Sequence, residues 1–113
     1  MMSTGIWLAI GCWWRSRGLL RERTRQSDSV GRWGGEEFLV LCPQTGLSQA
    51  EIGAERIRDA VGGRDFGLGH RLSLSAGVAE LRPDDTPDSL LQRADEALYR
   101  AKRSGRDRVC VAP

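Results

Sequence analysis

Lysine is nearly absent from this chain: of its 17 basic residues, Lys102 is the single lysine and the rest are arginine. Such a skew follows from codon composition as readily as from function. No aromatic-interleaved sheet motif accompanies the arginines from Arg15 to Arg25, so a nucleic-acid partner is not expected. Histidine occurs once, as His70 beside Gly69 and Arg71, without a second ligand at metal spacing, and is read as a loop residue. The cysteines Cys12, Cys42 and Cys110 are odd in number, far apart and free of any C-x-x-C pattern. That excludes a disulfide framework or a zinc site and points to buried thiols in a reducing compartment, hence a cytoplasmic chain. A long hydrophobic run is missing too. The apolar stretch from Ile6 to Trp14 falls far short of the ~20 residues a membrane-spanning helix needs. Its arginines follow it instead of preceding it, unlike a secretory signal, so a membrane role is not expected. Carboxylates are missing from the start: residues 1–18 hold no acidic residue and no asparagine, and the first carboxylate is Glu22. Three of the four tryptophans fall in the same segment. The chain therefore divides into an atypical segment, 1–18, and a domain, 19–113. Its 113 residues and net charge of +2 suit one domain with a modest core and no strong electrostatic bias.

What is present centres on Gly34-Gly35-Glu36-Glu37-Phe38. The glycines permit a tight turn and, lacking Cβ atoms, let a ligand approach the main chain. Val30 to Trp33 before them and Phe38 to Cys42 after them both read as extended, which predicts a β-hairpin with a Gly-Gly tip. Adjacent strand residues face opposite ways, so Glu36 and Glu37 have different tasks. Carboxylates at a glycine-walled tip suit a hard cation such as Mg²⁺, which binds through one or two carboxylates plus substrate phosphates.

Around the hairpin the pattern alternates helix and strand. Leu19 to Gln26 reads as the last turns of a helix that ends before Ser27-Asp28. Ser48 and Glu51 form an expected capping box. Leu47, Ala50, Ala54, Ile57 and Val61 then repeat at helical spacing, and Gly62-Gly63 is expected to stop the helix. Leu72, Leu74, Ala76 and Val78 alternate with Ser73, Ser75, Gly77 and Ala79, which predicts a half-buried strand. Thr86 as N-cap, Pro87 at the first helical position and Asp88 in the first turn open a second helix. Its predicted buried face is Leu90, Leu91, Ala94, Ala97, Leu98 and Ala101, and Gly105 closes it. Val109-Cys110-Val111 makes a short final strand. Lys102 and Arg106 lie four apart at the helix end, where basic residues complement the helix dipole.

Two separated stretches carry a family resemblance: Arg25-x-x-Asp28 followed by Gly34-Gly35-Glu36-Glu37-Phe38, and Arg93-Ala94-Asp95-Glu96-Ala97-Leu98-Tyr99-Arg100-Ala101-Lys102 through Gly105-Arg106-Asp107-Arg108. Together they resemble the GGDEF domain of diguanylate cyclases, over about residues 19 to 111. The resemblance implies an α/β, or α+β sandwich, fold related to nucleotidyl cyclases, with a central, mostly antiparallel sheet flanked by helices. It implies condensation of two GTP into cyclic di-GMP by a homodimer, with Mg²⁺ or Mn²⁺ as cofactor. Glu36 and Glu37 would be the catalytic and metal-binding residues, and Gly34, Gly35, Lys102 and Arg106 would bind GTP. Arg25, Asp28 and Arg56 match an inhibitory site for the product. Such a site suits guanine or phosphate, since a guanidinium fork donates to either and a carboxylate accepts from guanine N–H groups. Asp107 stands where the family commonly has asparagine. The family's first strand, with its metal-binding aspartate and the Phe-Lys, Asn and Asp positions after it, is not recognisable in residues 1–18. The expected domain is therefore N-terminally incomplete, its sheet lacking the central strand and exposing an edge. Poor turnover follows as an expectation. A non-catalytic cyclic di-GMP-binding module through Arg25 and Asp28 is the alternative.

Overall fold

Alternation along the run after the glycine pair decides how the chain is layered. The computed structural model describes residues 4–10, 21–26, 28–34, 37–65, 67, 69 and 72–113, with 4–10 and 32–34 as backbone. Five strands occur among them: β1 (Thr4–Ile10), β2 (Ser29–Gly34), β3 (Glu37–Pro43), β4 (Ser75–Glu80) and β5 (Val109–Val111). Two long helices, α1 (Leu47–Gly63) and α2 (Pro87–Arg103), accompany them. On β3, Phe38, Val40 and Cys42 are buried while Glu37, Leu39 and Leu41 are half-buried. Successive strand side chains take opposite faces, so each set needs its own cover. Phe38, Val40 and Cys42 cluster with Ala50, Ala54, Ile57 and Val61 of α1. Leu39 and Leu41 pack with Leu90, Ala94, Ala97 and Leu98 of α2. The result is an α+β sandwich with one helix on each face of the sheet, as expected from the family resemblance.

The sheet order is β2-β3-β1-β4-β5. All pairings are antiparallel except β4 with β5, which are parallel. This order corrects one expectation. The sheet does not lack its central strand: Thr4–Ile10 fills that place, pairing from Thr4↔Pro43 to Ile10↔Glu37 on one side and from Gly5↔Glu80 to Ile10↔Ser75 on the other. The backbone ladder asks only for an extended segment, and Thr-Gly-Ile-Trp-Leu-Ala-Ile supplies one, although it brings no carboxylate.

Three local readings also change. Strand β4 starts at Ser75, not Leu72, and Ser75 through Ala79 are all buried rather than alternately exposed. A strand near the middle of a sheet covered on both faces has no solvent side. At Gly77 the cover is tightest, since a Cβ there would come within 2.9 Å of the Leu98 Cα. Helix α1 begins on Gly46, whose carbonyl accepts the Ala50 N–H at 3.0 Å, and no side chain caps it. The capping box expected from Ser48 and Glu51 is therefore not formed, because both residues lie inside the helix, which also runs through Gly62-Gly63. Helix α2 opens as expected: Thr86 Oγ1 accepts from the Ser89 N–H at 3.1 Å, and Ser89 Oγ accepts from the Thr86 N–H at 2.9 Å. Residues 21–23 are helical, while residues 11–20, and with them Cys12, lie outside the described residues, as does His70. Cys42 is buried and Cys110 half-buried, both as thiols. Among the described residues, no helix is long and apolar enough to cross a membrane.

Candidate functional site

The hairpin of β2 and β3 has a chemically distinct feature at each end. At the tip, Gly34 pairs with Glu37 after a register shift between Arg32 and Gly34. Gly35 and Glu36, both assigned roles by the sequence, lie outside the described residues. Glu37 shares the face of Leu39 and Leu41 and so turns toward α2. There the Lys102 ammonium approaches Glu37 Oε1 at 3.5 Å, with both side chains about one-quarter exposed. The end of α2 thus delivers the chain's single lysine to the mouth of the hairpin.

Beyond α2 the backbone stays left-handed for three consecutive residues, Gly105 (φ 117°), Arg106 (φ 62°) and Asp107 (φ 46°). Outside glycine this conformation is uncommon, with Asp and Asn enriched in it. The Arg106 N–H donates to the Ala101 carbonyl at 3.0 Å, which closes the helix, and the Arg106 side chain is exposed. Asp107 is held at two points: its N–H donates to Ser75 Oγ at 3.1 Å, and its Oδ1 accepts from Arg58 Nη1 at 3.2 Å. Arg58 also donates through Nε and Nη2 to Glu55 Oε2 at 3.2 and 3.0 Å. The Glu55 bond, followed by Asp107, raises the Arg58 pKa above its ordinary value against the opposing effect of burial.

At the base of the hairpin, Arg25 and Asp28 close a turn on each other. The Arg25 N–H donates to Asp28 Oδ2 at 2.9 Å, and the Asp28 N–H donates to the Arg25 carbonyl at 2.9 Å. The Arg25 guanidinium is 3.5 Å from Asp28 Oδ1 and also donates to Thr45 Oγ1. Thr45 in turn donates to the Pro43 carbonyl at 2.9 Å. Arg25, Asp28 and Thr45 line a cavity of about 350 Å³ shared with Cys42, Gln49, Ile52 and Arg56. Asp28 is only 8% exposed, and among the described residues its Oδ1 has no hydrogen bond, only the Arg25 guanidinium at 3.5 Å. A buried carboxylate oxygen without a donor is costly, and here a donor-bearing ligand in the cavity could satisfy it. The structure therefore brings Arg25, Asp28 and Arg56 around one cavity, and Glu37 and Lys102 around another point. Sequence reasoning missed Thr45, Gln49 and Arg58. Thr45 sits in a stretch readable only as a strand end, and Arg58 looks like any charged residue of an amphipathic helix.

The implied Mg²⁺ can be tested against the donors. Among the described residues, no three of His, Cys, Asp and Glu gather as a metal site. Glu37 is the described carboxylate at the tip, and β1 adds none. A cation that takes one or two carboxylates and completes its shell with water and substrate phosphates fits such a sparse set.

The family model described as diguanylate cyclase, GGDEF domain, matches residues 15–108. Diguanylate cyclase DgcP of Pseudomonas aeruginosa is 46% identical over 98 residues, covering 84% of this chain and 15% of that protein. The chain thus spans less than one-fifth of that relative's length. The active GGEEF domain of a diguanylate cyclase from Vibrio cholerae superposes with a TM-score of 0.90 at 25% identity, over 99% of this chain and 84% of the other. The GGDEF domain of DgcB from Caulobacter crescentus, solved in complex with c-di-GMP, gives 0.87 at 25% identity, over 97% and 78%.

Proposed function

We infer, from the premise that this chain belongs to the diguanylate cyclase GGDEF-domain family, that it offers one half-site for condensing two GTP molecules into cyclic di-GMP, and that its turnover is poor. The observation that carries the reading is the meeting of hairpin tip and helix end, Glu37 with Lys102 at 3.5 Å. In a dimer, each protomer presents one GTP, and each 3′-hydroxyl attacks the α-phosphate of the other nucleotide, releasing pyrophosphate. Lys102 and Arg106 hold the triphosphate, and Gly34 and Gly35 admit the nucleotide against the backbone. A carboxylate of the Glu36–Glu37 pair takes the hydroxyl proton. A bound Mg²⁺ or Mn²⁺ supplies charge neutralisation for the phosphates, and Glu36 and Glu37 are the residues that would hold it. Positioning and charge are most of what phosphoryl transfer asks of a protein. Turnover is poor because β1 brings no carboxylate to share that task. The site of action is cytoplasmic, where GTP is found. The test is product formation from GTP and Mg²⁺ by the purified chain, with expected synthesis weak and abolished by Lys102→Ala. Robust synthesis overturns the low-turnover reading, and indifference to Lys102→Ala overturns the site.

A second reading is favoured by the buried Asp28 Oδ1, which among the described residues has no hydrogen bond and only the Arg25 guanidinium at 3.5 Å. The cavity of Arg25, Asp28 and Arg56 binds cyclic di-GMP, with guanidinium groups on guanine acceptors or phosphate and the carboxylate on guanine N–H groups. Bonds to charged groups contribute about 1.5–3 kcal/mol, so Arg25→Ala should weaken binding on the order of 10- to 100-fold. Calorimetric titration with cyclic di-GMP checks this, and equal affinity of wild type and Arg25→Ala rejects it.

A further inference from the structure

We propose that Arg58 is a positioning residue for the triphosphate end of the site, acting through Asp107 on the backbone that carries Arg106. This rests on the reading of Lys102 and Arg106 as triphosphate ligands. Arg58 lies on α1, on the other face of the sheet from α2, and none of its described bonds goes to the hairpin tip. It nevertheless reaches past the sheet to Asp107, Nη1 to Oδ1 at 3.2 Å. Its Nε and Nη2 donate to Glu55 Oε2, and Asp59 Oδ1 lies 3.9 Å from Nη2, so the guanidinium is held by Glu55 on one side and by Asp107 on the other. Asp107 is tied from below as well, by its N–H on Ser75 Oγ of β4 at 3.1 Å.

What these ties secure is a backbone that would not hold its shape unaided. Three consecutive left-handed residues, two of them not glycine, are disfavoured and persist where surrounding contacts over-determine them. Arg106 is the middle residue of the three and its side chain is exposed, so the direction of its guanidinium depends on that backbone. The tether fixes it from α1 and β4 at once. In this chain Asp107 is a carboxylate next to a residue meant for phosphate, and Arg58 both anchors it and offsets its charge.

The experiment is calorimetric titration with inorganic triphosphate and Mg²⁺ on the full chain, with folding followed by far-UV circular dichroism. The variants are Arg58→Ala, Asp107→Asn, Asp107→Gly, the Arg58→Ala/Asp107→Gly double, and Arg106→Ala. Arg58→Ala should weaken binding about tenfold, the scale typical of losing a residue that orients a ligand-binding group. Asp107→Asn keeps an acceptor for Arg58 and should stay within about twofold. Asp107→Gly tolerates the positive φ but ends the tether, and should match Arg58→Ala. The double variant should be no worse than either single one, as expected of one shared interaction. Additive losses in the double variant, or unchanged affinity in Arg58→Ala while Arg106→Ala binds weakly, overturn the tether and leave the triphosphate reading standing. Unchanged affinity in Arg106→Ala overturns both. Should Arg58→Ala fail to fold, Asp107→Gly at its exposed site decides alone: binding like wild type overturns the proposal.

Discussion

Asp85 shows how much one side chain can hold at the entry to α2. Its carboxylate accepts from the Arg93 guanidinium, from the Arg82 N–H at 2.8 Å and from the Ser89 hydroxyl at 2.7 Å. Arg93 first, then the Arg82 backbone, lowers its pKa from the ordinary 3.8 to about 2. A folded-state pKa below the unfolded one stabilises the fold above the unfolded value, and the contribution fades as pH falls through the folded one. Melting temperature should therefore drop between pH 3.8 and about 2 more steeply in wild type than in Asp85→Asn; parallel curves would show that Asp85 has no such role. A second residue-scale expectation concerns Glu37 and Lys102, which neutralise each other at 3.5 Å. Glu37→Gln releases the lysine from a partly exposed pair worth about 1 kcal/mol or less. Inorganic triphosphate, titrated without divalent cation, should then bind a few-fold more tightly, and weaker binding would contradict the arrangement. That pairing was only half legible in sequence. Alternation placed Glu36 and Glu37 on opposite faces, but which of them meets α2 depends on which face of β3 each helix covers.

At the scale of elements, Gly77 is the tightest joint. Ala94 and Leu98 backbone atoms occupy the space its Cβ would need, so Gly77→Ala must push α2 off β4. Overpacking of this kind costs about 1–3 kcal/mol or more, and denaturant unfolding should read a loss in that range; a neutral effect would mean that α2 shifts freely. Thr86→Ala removes one half of a reciprocal cap and should cost about 1 kcal/mol, measured the same way. The start of α2 was legible because Thr86-Pro87-Asp88 states it locally. The start of α1 was misread because Ser48 and Glu51 imitate a capping box two residues too late, whereas Gly46 caps with its backbone and leaves no side-chain signature. Strand β4 was placed but its burial was misjudged, since alternation cannot reveal that a second helix covers the far face. The left-handed run at 105–107 showed only its glycine in sequence.

For the whole molecule, the least legible feature is the one that completes the sheet. Nothing in Thr4–Ile10 distinguishes a central strand from a short apolar patch, because its partners Glu37–Pro43 and Ser75–Glu80 are remote in sequence. Its pairing on both sides makes a direct expectation: amide hydrogens of residues 5–10 should exchange as slowly as those of β4, among the last in the chain. Exchange as fast as at a frayed end would show that the sheet does not close around them.

Strand β3 also acts as a spacer. Its seven residues run from Glu37 at the hairpin tip to Pro43 beside the cavity, a separation of about 20 Å at the usual rise of ~3.3 Å per residue. A molecule lodged at one end is too far away to jostle a molecule at the other, and the two ends open toward different helices. Any influence between them must therefore travel through the protein itself, and helix α1 offers one route, with Arg56 lining the cavity and, two residues on, Arg58 bonded to Asp107.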